Sequence, residues 1–161
     1  KWLSENRIVS EKFSEGSIGN FVAQLRKDLF CDFQVVLEGL DSPNCAVLDA
    51  RSERRFKGLD PEPRPGVRSG HMPNAKNLPF PEVLNGGLLK SVSELQEIFV
   101  NLSLDHQDAI ITSCGSGITA CILTLAADVA GFSRLSVYDG SWAEWGLPGK
   151  LPVVSDLTNN A

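Results

Sequence analysis

The residues of this chain best suited to chemistry are Ser113-Cys114-Gly115-Ser116-Gly117-Ile118-Thr119-Ala120. A cysteine follows a short apolar run and opens a small glycine-rich loop, and a helix-like pattern begins directly after it. Such a loop aims several backbone N–H groups and a helix N-terminus at one sulfur. It thereby favours a thiolate, or a sulfur anion built on it, near neutral pH. The thiolate is the nucleophile, and an unperturbed thiol titrates near about 8.5. Gly115 and Gly117 let the loop curl and bring its amides close. Ser116 and Thr119 add hydroxyl donors on the same centre. A cysteine alone reads as a small buried residue; the C-G-S-G-x-T run between a strand and a helix reads as a functional site.

Two reaction classes place a cysteine in such a loop. In C-x5-R phosphatases an arginine closes the loop and binds the phosphate dianion, often with a histidine just before the cysteine. Here Ala120 stands at the arginine position and Ser113 at the histidine position. A dianionic phosphate would lose its main charge partner. The other class is sulfur transfer, in which the thiolate takes up a sulfane sulfur and becomes a persulfide.

The elements that must position Cys114 follow from pattern. Residues 109–112 are an apolar run that reads as a buried strand ending at the cysteine. Residues 118–130 read as an apolar helix buried over most of its surface and closed by Gly131. Residues 45–49 form a second buried strand ending in an acid. Residues 75–78 and 135–138 read as short strands, and residues 21–25 as an edge strand. Asp32 is a plausible N-cap for a helix with Phe33, Val36, Leu37 and Leu40 on one face. Ser91-Val92-Ser93-Glu94 is a capping box opening an amphipathic helix through Leu95, Ile98, Phe99 and Leu102. Residues 57–74 are a long loop with four prolines, a length uncommon unless functional. Asp139-Gly140 is a turn, and a short helix starts at Ser141.

This alternation implies an α/β domain with a central, mostly parallel sheet of about five strands flanked by helices. In such sheets sites form beyond the C-terminal ends of strands, where Cys114 and the residues after Asp49 both fall. The composition fits one soluble globular domain: 161 residues, 42% apolar and 22% charged. A formal net charge of −5 argues against nucleic acid as a main partner. No apolar run approaches the span of a bilayer. Four cysteines without a C-x-x-C pair, and only His71 and His106 beside them, make a zinc site and a disulfide framework improbable. Cys31, Cys45 and Cys121 read as packing residues.

The chain resembles the C-terminal, catalytic domain of the 3-mercaptopyruvate sulfurtransferases, within the rhodanese superfamily. The resemblance rests on Leu48-Asp49-Ala50-Arg51, Arg55-Phe56, Glu62-Pro63-Arg64-Pro65-Gly66, Gly70-His71-Met72-Pro73, Asn77-Leu78-Pro79, the Cys114–Ala120 loop, and Tyr138-Asp139-Gly140-Ser141-Trp142-Ala143-Glu144-Trp145. It implies a rhodanese-like domain over residues 21–150, with residues 1–20 a linker from a further N-terminal rhodanese-like domain and residues 151–161 a C-terminal tail. It further implies Cys114 as nucleophile and persulfide carrier, and Ser116 as the residue that polarises the substrate or relays a proton. The backbone of Gly115, Ser116, Gly117, Ile118 and Thr119 would cradle the sulfur, and Arg55 and Arg64 would bind the carboxylate and keto group of mercaptopyruvate. The same resemblance implies no cofactor, a thiol acceptor such as thioredoxin, or cyanide, and a cytoplasmic or mitochondrial setting.

The neutral loop supports that substrate from the residues themselves. Thiosulfate is a compact dianion, and thiosulfate-preferring relatives carry basic residues in the loop. A monoanionic keto acid can instead be held farther out by arginine forks. A thiosulfate:cyanide sulfurtransferase is the competing enzyme, and a non-catalytic interaction module would be expected to lack the cysteine. Arg51 reads as a structural ion pair, Arg54 as a surface charge, His71 as a partner of loop backbone groups, and Trp142 and Trp145 as packing. Without the N-terminal domain, weaker turnover is expected than from a full-length form.

Overall fold

The strand Cys45–Asp49 is apolar up to its terminal acid, as suits a strand with both edges paired and both faces covered. In the computed structural model, which describes residues 1–13 and 16–156, it pairs in parallel with two neighbours. In chain order the elements are β1 (Phe30–Cys31), α1 (Phe33–Gly39), β2 (Cys45–Asp49), α2 (Glu53–Phe56), β3 (Lys76–Asn77), β4 (Leu84–Asn85), β5 (Leu88–Leu89), α3 (Val92–Asn101), β6 (Ala109–Ser113), α4 (Ile118–Ala130), β7 (Leu135–Tyr138) and α5 (Ser141–Trp145). Five strands form one sheet in the order β1-β7-β6-β2-β3, and every pairing in it is parallel.

Alternation along the central strands feeds two cores. Ala46, Leu48 and Ile110 point to one face and pack with Leu95 and Phe99 of α3 and Leu123 and Ala127 of α4. Val47 and Ile111 point to the other and pack with Val36 of α1, Met72, Tyr138, Trp142 and Trp145. A shift of one residue in β2 or β6 would exchange these sets, so the register is strongly specified.

Helix starts follow their side chains. The Asp32 carboxylate accepts from the amides of Gln34 and Val35, and the Ser91–Glu94 capping box is fully formed. Gly131 closes α4 in the left-handed conformation.

The structure departs from the sequence reading in several places. Residues 21–25 are not a strand. Phe21 and Val22 are 89% and 77% exposed, and the edge position beside β7 is taken by β1, which leads directly into the Asp32 cap. Leu37, expected on the buried face of α1, is exposed. α4 is not buried over most of its surface either: Ile118, Cys121, Leu125 and Val129 form an exposed stripe along it. The hairpin β4–β5, which turns through Gly86 and Gly87 at φ +58° and +82°, was not anticipated. Of the expected tail, residues 157–161 lie outside the described residues, whereas residues 151–156 fold back on the proline-rich loop. There Val154 pairs with His71 in both directions, and the Asp156 amide donates to the Lys57 carbonyl at 3.1 Å. Among the described residues, no helix is long and apolar enough to cross a membrane.

Candidate active site

Adjacent strands bring the two halves of the site together. Asp49 and Ser113 are register partners at the C-terminal ends of β2 and β6, and the Ala50 amide donates to the Ser113 carbonyl at 2.8 Å. The chain after Ser113 is then tied to α5. The Cys114 amide donates to Ser141 Oγ at 3.2 Å, and the Trp142 and Ala143 amides donate to the carbonyls of Cys114 and Gly115, both at 2.9 Å. Ser141 Oγ in turn donates to the Tyr138 carbonyl at 2.8 Å. Ser141 is fully buried with φ +49°, a conformation costly for a residue with a side chain, and its two hydroxyl bonds hold it there. Gly117, at φ +84°, makes the turn into α4; a Cβ there would stand 3.2 Å from the Asp139 carbonyl oxygen. Thr112 and Thr124, hydroxyl to hydroxyl at 2.7 Å, fasten the end of β6 to α4.

Cys114 is 2% exposed. Burial by itself pushes its thiol up, but the Thr119 hydroxyl and the backbone amides of Ser116, Ala120 and Thr119 all favour the anion. Together they bring the thiol below its ordinary value. The Ser116 amide stands 3.4 Å from the sulfur. No cationic side chain takes part in this effect. The amide donors are those of a loop curling into a helix, fixed by the backbone and needing no reorganisation when charge develops, and the Thr119 hydroxyl is carried on the first turn of that helix. By contrast, burial pushes the thiols of Cys31 and Cys45 up.

A cavity of about 210 Å³ adjoins the loop at Gly115 and Ser116; Arg55, Glu62, Pro63, Arg64, Val67 and Ala143 complete its lining. Arg55 arrives from α2 and lies against Gly115, where a Cβ would stand 3.2 Å from its Nη2. Its guanidinium pairs with Glu62, Nη2 to Oε2 at 2.6 Å. Arg64 is exposed and has no ion-pair partner among the described residues. Behind them Arg51 is buried, forked onto Asp49, bonded to Glu62 and to the Gly70 carbonyl, and stacked on Trp142 at 4.2 Å. Two larger clefts, about 910 and 730 Å³, lie along β1 with α5 and along α4. Neither is lined by Arg55, Arg64 or the Gly115-Ser116 turn that follows Cys114, so the smaller cavity is the one joined to the chemistry.

Of the residues singled out in the sequence, the structure thus brings together Cys114, Gly115, Ser116, Thr119, Arg55 and Arg64. Gly117 shapes the turn behind them. Ile118 is 75% exposed. Arg51 and Arg54 sit as their patterns imply, the first in a buried ion pair and the second on the surface with Asp60. The Nδ1 of His71 lies 2.8 Å from the Phe56 carbonyl, and its ring stacks on Phe56 at 3.9 Å, which anchors the end of α2. Sequence reasoning missed four contributors. The Ala120 amide, Ser141 and Glu62 act through positions that spacing does not reveal. Arg68 binds the carbonyls of Trp145, Gly146 and Leu151 and ties the loop to α5.

A profile of the rhodanese-like domain matches residues 32–147. The chain belongs to the rhodanese family. Among curated relatives of this rhodanese-like chain, the 3-mercaptopyruvate sulfurtransferase of Mus musculus is 41% identical over 145 residues, covering 89% of this chain and 49% of the relative. The thiosulfate sulfurtransferase of Cricetulus griseus is 38% identical over 146 residues, with the same coverage of both chains. Among solved structures, the 3-mercaptopyruvate sulfotransferase SseA of Escherichia coli superposes with a TM-score of 0.73 at 31% identity, covering 88% of this chain and 52% of the other. The chain spans about half the length of the curated relatives it matches.

Proposed function

We propose that this rhodanese-like domain carries the persulfide of a 3-mercaptopyruvate sulfurtransferase, with Cys114 as nucleophile. The observation that carries this reading is a buried cysteine whose thiol is brought below its ordinary value by neutral donors alone, next to a cavity lined by two arginines. The Cys114 thiolate attacks the thiol sulfur of 3-mercaptopyruvate. The new S–S bond forms as the C–S bond breaks, and that bond's electron pair passes into an enolate, which takes a proton to give pyruvate. The persulfide then hands its outer sulfur to a thiol such as thioredoxin, or to cyanide, and the thiolate returns. Arg55 and Arg64 hold the carboxylate and keto oxygen, the Gly115–Thr119 backbone steadies the sulfur, and Ser116 polarises the donor or relays its proton. No step calls on a cofactor.

Charge favours the keto acid over thiosulfate. The cavity is lined by Arg55, Arg64 and Glu62, so its charged side chains sum to one positive charge, which matches a monoanion. The half-length match to two-domain relatives supports a partner domain that completes the cleft, and hence weaker turnover from this chain alone. The four cysteines are all free thiols, which fits a reducing compartment, cytoplasmic or mitochondrial. The test compares wild type and Cys114→Ser with each donor in the presence of cyanide. Pyruvate and thiocyanate formation from 3-mercaptopyruvate, lost in the variant, supports the reading; a clear preference for thiosulfate, or undiminished turnover without Cys114, overturns it.

A further inference from the structure

We propose that Glu62 is a positioning residue that presets Arg55 against the Cys114 loop. The proposal rests on the reading above, in which Arg55 receives the carboxylate of the sulfur donor. The Glu62 side chain is 4% exposed, and both of its oxygens face Arg55: Oε2 accepts from Nη2 at 2.6 Å and Oε1 from Nε at 3.2 Å. Oε1 also accepts from Arg51 Nη1 at 2.9 Å. Arg51 in turn is immobilised by Asp49, by the Gly70 carbonyl and by the Trp142 face. A chain of alternating charges, Asp49–Arg51–Glu62–Arg55, therefore runs from the C-terminal end of β2 to the rim of the cavity.

This chain does more than neutralise Arg51, because Oε2 is given to Arg55 alone. Arg55 stems from a single helical turn and would otherwise sample many rotamers. Forked onto Glu62 through Nε and Nη2, it is held with Nη2 over Gly115, and Nη1 has no hydrogen-bond partner among the described residues. A donor anion then meets a cation already in place, and little ordering remains to be done on binding. Arg64 lines the same cavity without any such bracket. Of the two arginines, Arg55 is thus the one set in place before the anion arrives.

The test uses Glu62→Asp, which keeps the charge but is too short to bridge both arginines, in wild-type and Arg55→Ala backgrounds. The first readout is the donor KM against kcat. The second is the ratio of Cys114 alkylation rates with iodoacetate and iodoacetamide, resolved by peptide mass. That ratio reports anion recruitment at the sulfur whichever donor the protein uses, so it stands even if the functional reading fails. The expected result is a donor KM raised about fivefold or more with kcat little changed, and a lowered iodoacetate preference. Both effects should vanish in the Arg55→Ala background. An unchanged ratio, or an equal loss with and without Arg55, overturns the proposal. Should Glu62→Asp not fold, Glu62→Gln decides by sign. The negative charge it removes would by itself speed iodoacetate, whereas a loosened Arg55 slows it, so a rise overturns the proposal.

Discussion

Replacing Thr119 by valine removes one hydroxyl from the cradle while keeping the β-branched shape at the first turn of α4. Among the groups that favour the Cys114 anion, the Thr119 hydroxyl contributes most, ahead of the amides of Ser116, Ala120 and Thr119 itself, and all of them work against burial. A hydrogen bond to a charged group contributes about 1.5–3 kcal/mol. The three amides remain in the variant, so the lower end applies, and the thiolate population at a pH below the thiol's titration falls about tenfold. The sign follows from the chemistry: the variant's thiol titrates higher, and its reactivity rises with pH only later than in wild type. The assay is the pH dependence of iodoacetamide modification at Cys114. It is read peptide by peptide, because Cys121 is exposed and reacts as well, whereas burial pushes the thiols of Cys31 and Cys45 up. A midpoint of the rate–pH curve that is not displaced upward from wild type would refute the reasoning, since the hydroxyl would then contribute nothing to the anion.

Other outcomes follow from the same geometry. Arg64→Ala should raise the KM for 3-mercaptopyruvate about tenfold and leave the melting temperature unchanged, because Arg64 is exposed and has no ion-pair partner among the described residues; calorimetry and steady-state kinetics check the two halves. Ser141→Ala removes the hydroxyl that joins the Cys114 amide to the Tyr138 carbonyl and should cost about 1–3 kcal/mol in urea unfolding, with slower Cys114 alkylation. Tyr138 is the chain's single tyrosine, and burial, then the hydrogen bond to Glu144 and its charge, push its phenol well above the ordinary range. The tyrosinate absorbance at 295 nm should therefore stay flat past pH 11 while the protein is folded, and should rise near pH 10 in urea.

Most of the fold was legible because its signals are local. The apolar runs of β2 and β6, the Asp32 cap, the Ser91–Glu94 box and the Gly131 stop each declare themselves within a few residues. The strand at residues 21–25 failed for the opposite reason: short apolar clusters do not say which segment will win an open sheet edge, and β1 won by connection to α1. The exposed stripe of α4 was hidden by composition, since Ile118, Leu125 and Val129 look like core residues until the sheet shows which side of the helix it covers. At the site, the loop sequence identified the sulfur and its neutral surroundings. It could not show that Ser141, 27 residues downstream, receives the Cys114 amide, or that Glu62 bridges Arg51 and Arg55, because these bonds join segments distant in the chain. Ion-pair logic did find Arg51, whose partner Asp49 is two residues away.

The account stands on sulfur passing through Cys114, and the intact mass of the protein after brief exposure to 3-mercaptopyruvate tests this most directly. The predicted result is a gain of one sulfur atom, located at Cys114 by peptide mapping, accompanied by pyruvate and removed by cyanide. No gain in mass while pyruvate forms, or a sulfur carried on Cys121 instead, would contradict it.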